Sequence, residues 1–140
     1  MDSHCPKFTL PPAAYLTLRT HFAALGTCPS DYDLILTGDL GSLGHAIVQD
    51  LFCNRGVDMT RNYQDCGMLL YDATAQDMHA GGSGAGCSAS VLCAHVLPKL
   101  QNGTFRRVLF APTGALLSPL TSLQGETIPC ICHAVEFSTV

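Results

Sequence analysis

Residues 88–103, SASVLCAHVLPKLQNG, restrict the fold of this chain more than any other segment. They are apolar on nearly every face, and a helix of that kind lies in a protein interior. Pro98 stands late in the run, where it is placed to kink the last turn. The entrance is MHAGGSGAGCSAS, Met78 to Ser90, whose Gly81, Gly82, Gly84 and Gly86 let backbone approach closely. An interior helix needs cover on both sides. The remaining strands supply one sheet, so a second layer is expected from another half of the fold or from another chain.

The chain has 140 residues, enough for one domain with a true core. It is 47% hydrophobic and only 13% charged, which is poor in charge for a soluble domain and points to hidden surface. The formal net charge is -4 and lysine and arginine are not clustered, so nucleic-acid binding has no electrostatic footprint. No stretch reaches the roughly 18–20 unbroken apolar residues of a membrane span. The opening MDSHCPKFTLPP lacks the basic-then-apolar pattern of a secretory signal. Cys53, Cys87, Cys93, Cys130 and Cys132 sit among apolar or small residues without framework spacing, so reduced thiols in an intracellular protein are expected.

Residues 1–10 read as an irregular extension and 11–140 as the folded unit. After Pro11 and Pro12, the spacing of Ala14, Leu18, Phe22 and Leu25 predicts a helix stopped by Gly26. Leu34 to Gly38 (LILTG) predicts a buried strand, DLGSLG a glycine loop, and HAIVQDLFCNRG a helix closed by Gly56. MTRNYQDCG reads as irregular, and Met68 to Asp72 as a short strand or helical turn. Arg106 to Gly114 and Cys130 to Phe137 predict two further strands, joined by a loop rich in small residues. This order predicts an α/β fold with a mixed sheet and layers of helix, sheet and helix.

GGSGAG carries no lysine, which excludes a phosphate-binding P-loop, and no ribose-binding acid follows at the dinucleotide spacing. Two readings survive: tight helix packing, or an anion such as a carboxylate held at the start of the helix. His79 is a structural residue or a ligand contact. Cys87 lies in the first turn, where a thiolate is favoured, or is a small buried residue at a crossing. Asp39 is a site residue at a strand end or a helix N-cap. His45 reads as packing, and Asp65 and Cys66 as a turn or a site. Cys130 and Cys132 share a strand face that His133 leaves, which is poor geometry for a metal.

Four segments carry a resemblance: DYDLILTGDLGSLGH (31–45), NYQDCGMLLYD (62–72), HAGGSGAGCSAS (79–90) and RRVLFAPTGALLSPLTSLQGETIPCICHAVEF (106–137). Together they resemble the stage V sporulation protein AD family, in its C-terminal half. The resemblance implies a thiolase-like fold of two similar halves, each with a central helix between layers. It implies a role in bacterial endospore formation, with dipicolinic acid (pyridine-2,6-dicarboxylic acid) bound and brought into the spore as its calcium chelate. Implied partners are the other stage V A sporulation proteins, the N-terminal half of the same fold and further copies of the chain. The implied location is peripheral, on the cytoplasmic side of the forespore or spore inner membrane. Condensing enzymes share the fold, but their cysteine nucleophile belongs to the N-terminal half. Gly38 or Asp39 stands where such enzymes place a first partner, and His79 is the candidate for the second. Thr113 and Gly114 loosely match a glycine loop. Binding without catalysis is therefore expected, with His79, Gly82, Ser83, Gly84, Asp39 and Thr113 as ligand contacts and neither cofactor nor metal ion resident. The alternatives are an acyltransferase half completed by an N-terminal partner, or a purely structural subunit of a spore membrane complex.

Overall fold

A computed structural model describes residues 10–79, 84–115, 120, 123–124 and 128–139. Helix α1 (Leu10–Leu25) places Ala14, Tyr15, Leu18 and Phe22 in the core. Leu25, expected on that stripe, is 58% exposed as the last residue of the helix. Gly26 adopts φ 64 and Thr27 N donates to Phe22 O at 3.0 Å, which caps the last turn.

Strand β1 (Leu34–Thr37) is central. It pairs in parallel with β2 (Tyr63–Asp65) and with β3 (Arg107–Ala111), and β6 (Val135–Ser138) closes the far edge antiparallel to β3. The order β2-β1-β3-β6 is the expected mixed sheet. Between β3 and β6 in sequence, β4 (Thr113–Ala115) and β5 (Cys130–Cys132) form a separate antiparallel ribbon. Two continuous strands were expected here. Pro112 has no N–H for the ladder and divides the first; the second parts at His133, whose N–H donates to Pro112 O.

Alternation along β1 and β3 builds two cores. Ile35, Leu109 and Ala111 face α1 and α2 (Gly41–Cys53), meeting Tyr15, Leu18, Phe22, Val48 and Phe52. Leu34, Leu36, Val108 and Phe110 face the other way, onto the helix over residues 87–101. The result is a helix–sheet–helix arrangement within the chain.

The segment read as irregular, MTRNYQDCG (59–67), contains β2 and the first two residues of the short helix α3 (Cys66–Leu70), and the stretch from Met68, read as a short strand or helical turn, continues that helix to Leu70. The strand character of β2 comes from pairing with β1, which no local apolar alternation announced. Helix α2 begins at Gly41, four residues before the predicted start at His45.

The glycine-entered helix runs as α4 (Cys87–Val91), a π-helical turn (Leu92–Val96) and α5 (Leu97–Gln101). Pro98 cannot donate to the turn before it, and the neighbouring Leu97 N–H reaches back five residues to Leu92 O. The wide turn inserts one residue between Val91 and Val96. Cys87, Val91, Val96 and Leu100 thereby stay on one buried line despite an uneven spacing. Ala89, Ser90, Cys93, Ala94 and Pro98 are exposed on the opposite side. In this chain the helix is an outer layer, covered by the sheet on one side, and the described residues do not supply the second cover that its composition predicts.

The other end of the sheet is tied by charge. Arg107 donates to Glu136 from Nε at 2.8 Å and from Nη2 at 3.0 Å, and its guanidinium lies 4.7 Å from the centre of the Tyr32 ring. Tyr32 also donates to Glu136 at 3.1 Å. Arg107 foremost, with Tyr32 and then His21, holds the Glu136 carboxyl below its ordinary value. A carboxyl depressed in the folded state stabilises above its unfolded pKa and loses that contribution as pH falls through the folded one. Glu136→Gln is thus expected to lower the urea midpoint at pH 7. The gap to the parent chain should close as pH drops below the ordinary glutamate range, and a gap unchanged down to pH 3 would contradict the assignment. No described helix is long and apolar enough to cross a membrane.

Candidate functional site

The parallel strands β1 and β3 end side by side, and in open α/β sheets ligands gather at such carboxyl ends. β1 runs into Gly38, Asp39 and Leu40; β3 runs into Pro112 and Thr113. Gly38 N donates to Ala111 O at 3.3 Å, and the Thr113 hydroxyl donates to Gly38 O in a short bond. Gly38 is the pivot. A Cβ there would stand 2.9 Å from Thr113 N and 3.0 Å from Pro112 Cα, and would strike the Ser88 hydroxyl. Only a residue without a side chain lets the two strand ends and the start of α4 come this close.

Asp39 adopts φ 44, a left-handed conformation that asparagine and aspartate tolerate better than most residues. Its Oδ2 accepts from Gly84 N at 2.7 Å, across forty-five positions of sequence. It also acts on the neighbouring Cys87 thiol, which it helps to push up. The carboxylate thus ties the β1–α2 loop to the entrance of the long helix. The left-handed turn tips it toward Gly84, and Leu40, not Asp39, takes the cap position of α2.

Behind this corner lies Asp65, fully buried. Its Oδ1 accepts from the Thr37 hydroxyl and from Leu40 N, both at 2.9 Å; its Oδ2 accepts from Gly41 N and Gly67 N, both at 3.0 Å. Burial pushes the carboxyl above its ordinary value, and the bonds from Leu40, Thr37, Gly41 and Gly67 pull it part of the way back. Tyr63 hydrogen-bonds Thr37 at 3.0 Å, and His45 stacks on the Tyr63 ring at 4.4 Å with Nε2 3.3 Å from Tyr63 O. His45 is a packing residue, as expected. No buried polar side-chain atom among the described residues lacks a partner.

The thiols nearby are poor nucleophiles. Burial pushes Cys87 up to about 11, with Asp39 adding to it, and pushes Cys66 up to about 12. Cys132, buried beneath α1, is pushed up by burial to about 11. The first-turn position that favours a thiolate at Cys87 is outweighed by desolvation and by the neighbouring carboxylate.

Of the residues expected to touch ligand, Asp39, Gly84 and Thr113 belong to this corner. The Thr113 hydroxyl is committed to Gly38 O, so it braces the corner. His79 is exposed at φ 48 and, among the described residues, makes no hydrogen bond. Gly82 and Ser83 lie outside the described residues. Cys130 is half-buried and Cys132 buried, while His133 is exposed. Among the described residues, no group of three or more His, Cys, Asp or Glu is arranged to hold a metal ion. Sequence reasoning left Asp65 between turn and site and passed over Thr37 and Ser88. No local signal marked Asp65, because β2 shows itself only through its pairing with β1.

Comparison with known proteins agrees with the motifs. The family model described as stage V sporulation protein AD matches residues 7–138. The stage V sporulation protein AD of Bacillus subtilis (strain 168) is 46% identical over 126 residues, which is 90% of this chain and 37% of that protein. The chain spans little more than a third of the length of this relative. With the family model matching nearly end to end, this chain belongs to the stage V sporulation protein AD family.

Proposed function

We propose that this chain forms part of a non-catalytic, thiolase-like protein that binds dipicolinic acid and supports its uptake into the developing endospore. It works at the inner spore membrane with the other stage V A proteins. The observation that supports this reading is the corner where Gly38, Asp39, Gly84 and Thr113 meet at the ends of β1 and β3, in a chain of this family. Burial pushes the Cys66 and Cys87 thiols up, so neither is suited to stand in for a nucleophile carried by the N-terminal half. An N-terminal half of the same fold covers the exposed side of the 87–101 helix, and copies of the chain associate.

Asp39 decides which form of the ligand is preferred. Dipicolinate is a dianion near neutral pH, and a carboxylate facing it repels unless a cation stands between them. The calcium chelate supplies that cation. Titration calorimetry with dipicolinate, with and without calcium, tests the reading, and the ring-carbon analogue isophthalate serves as control. Asp39→Asn is expected to weaken binding of the calcium chelate about tenfold and to strengthen binding of free dipicolinate, a difference of ~1.4 kcal/mol for each tenfold change. Absence of saturable dipicolinate binding, with the N-terminal half supplied, would remove the proposal.

A further inference from the structure

Asp65 bonds neither Asp39 nor Gly84, yet it holds the β1–α2 turn on both sides of Asp39. Its carboxylate takes the Thr37 hydroxyl at the end of β1, the Leu40 and Gly41 amides just after Asp39, and the Gly67 amide of α3. Asp39 therefore sits between two anchored points. Thr37 precedes it by two residues and Leu40 follows directly. The left-handed φ of 44 at Asp39 and the φ of 68 at Gly41 flank the Leu40 amide that Asp65 holds. An exposed loop of this sequence would relax toward ordinary backbone angles, because left-handed geometry at a residue with a side chain persists only where its surroundings over-determine it. The Asp39 carboxylate would then leave Gly84.

We infer that Asp65 is a positioning residue for the candidate site: by clamping Thr37, Leu40 and Gly41 it sets the turn at Asp39 and holds that carboxylate on the Gly84 amide. The inference rests on the reading of this corner as the ligand-binding site. It gives the buried acid a purpose beyond joining β2 to α3. Gly67 alone would suffice for that, as the amide capped at the start of α3.

Asp65→Asn tests it, because the amide keeps the shape but offers two donors where the Gly41 and Gly67 amides need an acceptor. In nitrogen–proton correlation spectra of the full chain, the Gly84 amide peak should move to the position it takes in Asp39→Ala. Peaks of Val96 and Leu100 should stay in place. The affinity for calcium dipicolinate should fall about tenfold with the melting cooperativity retained. Thr37→Val, which removes one of the four donors and keeps the shape, should move the Gly84 peak part of the way. A purely structural role for Asp65 would leave the Gly84 peak unmoved, and that result in either folded variant overturns the inference. In the unaltered chain, the Leu40, Gly41 and Gly84 amides should exchange with solvent through one shared opening, and independent openings would also overturn it. If the unaltered chain fails to bind dipicolinate while Gly84 still responds to Asp65→Asn, the positioning stands and the ligand assignment falls.

Discussion

Asp65→Ala should destabilise the fold by about 3–5 kcal/mol, a large share of the roughly 5–15 kcal/mol that holds a domain together. The substitution removes the acceptor for four donors at once: the Thr37 hydroxyl and the amides of Leu40, Gly41 and Gly67. Each buried donor left without a partner costs about 1–3 kcal/mol, and water entering the space offsets part of the sum. Urea unfolding followed by circular dichroism at pH 7 measures it. A loss below about 1 kcal/mol would mean that the carboxylate's burial cost cancels its bonds. The damage should be local first. Leu40 and Gly41 amides should exchange faster well below the midpoint, since they lose their partner without any change in the two apolar cores.

Gly38→Ala should cost about 2–3 kcal/mol, near the upper end for forcing a methyl group into a packed region. The added carbon meets backbone, namely Thr113 N at 2.9 Å and Pro112 Cα at 3.0 Å, so no rotamer change relieves it. The Ser88 hydroxyl is the one yielding neighbour. Gly38→Ala combined with Ser88→Ala should therefore recover only part of the loss. Gly86→Ala is the matched control, because its added carbon meets nothing within 4 Å and should change the urea midpoint little. Equal costs at Gly38 and Gly86 would show that the strand ends have room to separate, and the corner would then lose its claim to be preformed.

Both predictions concern residues whose importance is set by tertiary neighbours, and this marks the line between what was legible in the sequence and what was not. The helix of α1 was legible because Ala14, Leu18 and Phe22 repeat at a helix's own period and Gly26 ends it. The central strand was legible as an unbroken apolar run, because a parallel strand covered on both faces needs apolar residues at every position. The motifs that place the chain in its family were legible too. Strand β2 was not. Tyr63, Gln64 and Asp65 carry no local strand signal, and their conformation comes from the ladder with β1. The long β3–β4 and β5–β6 segments read as single strands, since apolar composition does not say where a ladder turns from one sheet to another.

The glycine-entered helix shows the division most directly. Its sequence determined that it is helical, greasy and reached through small residues. Which side it buries is a property of the assembled chain. The sheet takes Cys87, Val91, Val96 and Leu100, and the π turn ahead of Pro98 keeps that line straight. The candidate site divides the same way. Strand-end position nominated Asp39, the glycines at a helix start nominated Gly84, and the family resemblance nominated Thr113. Only folding brought Asp39 to Gly84 across forty-five positions and buried Asp65 behind them. Local periodicity records which face of an element meets the core. Contacts between distant segments depend on distances that no local pattern encodes, and they exist once β1, β2 and β3 lie side by side.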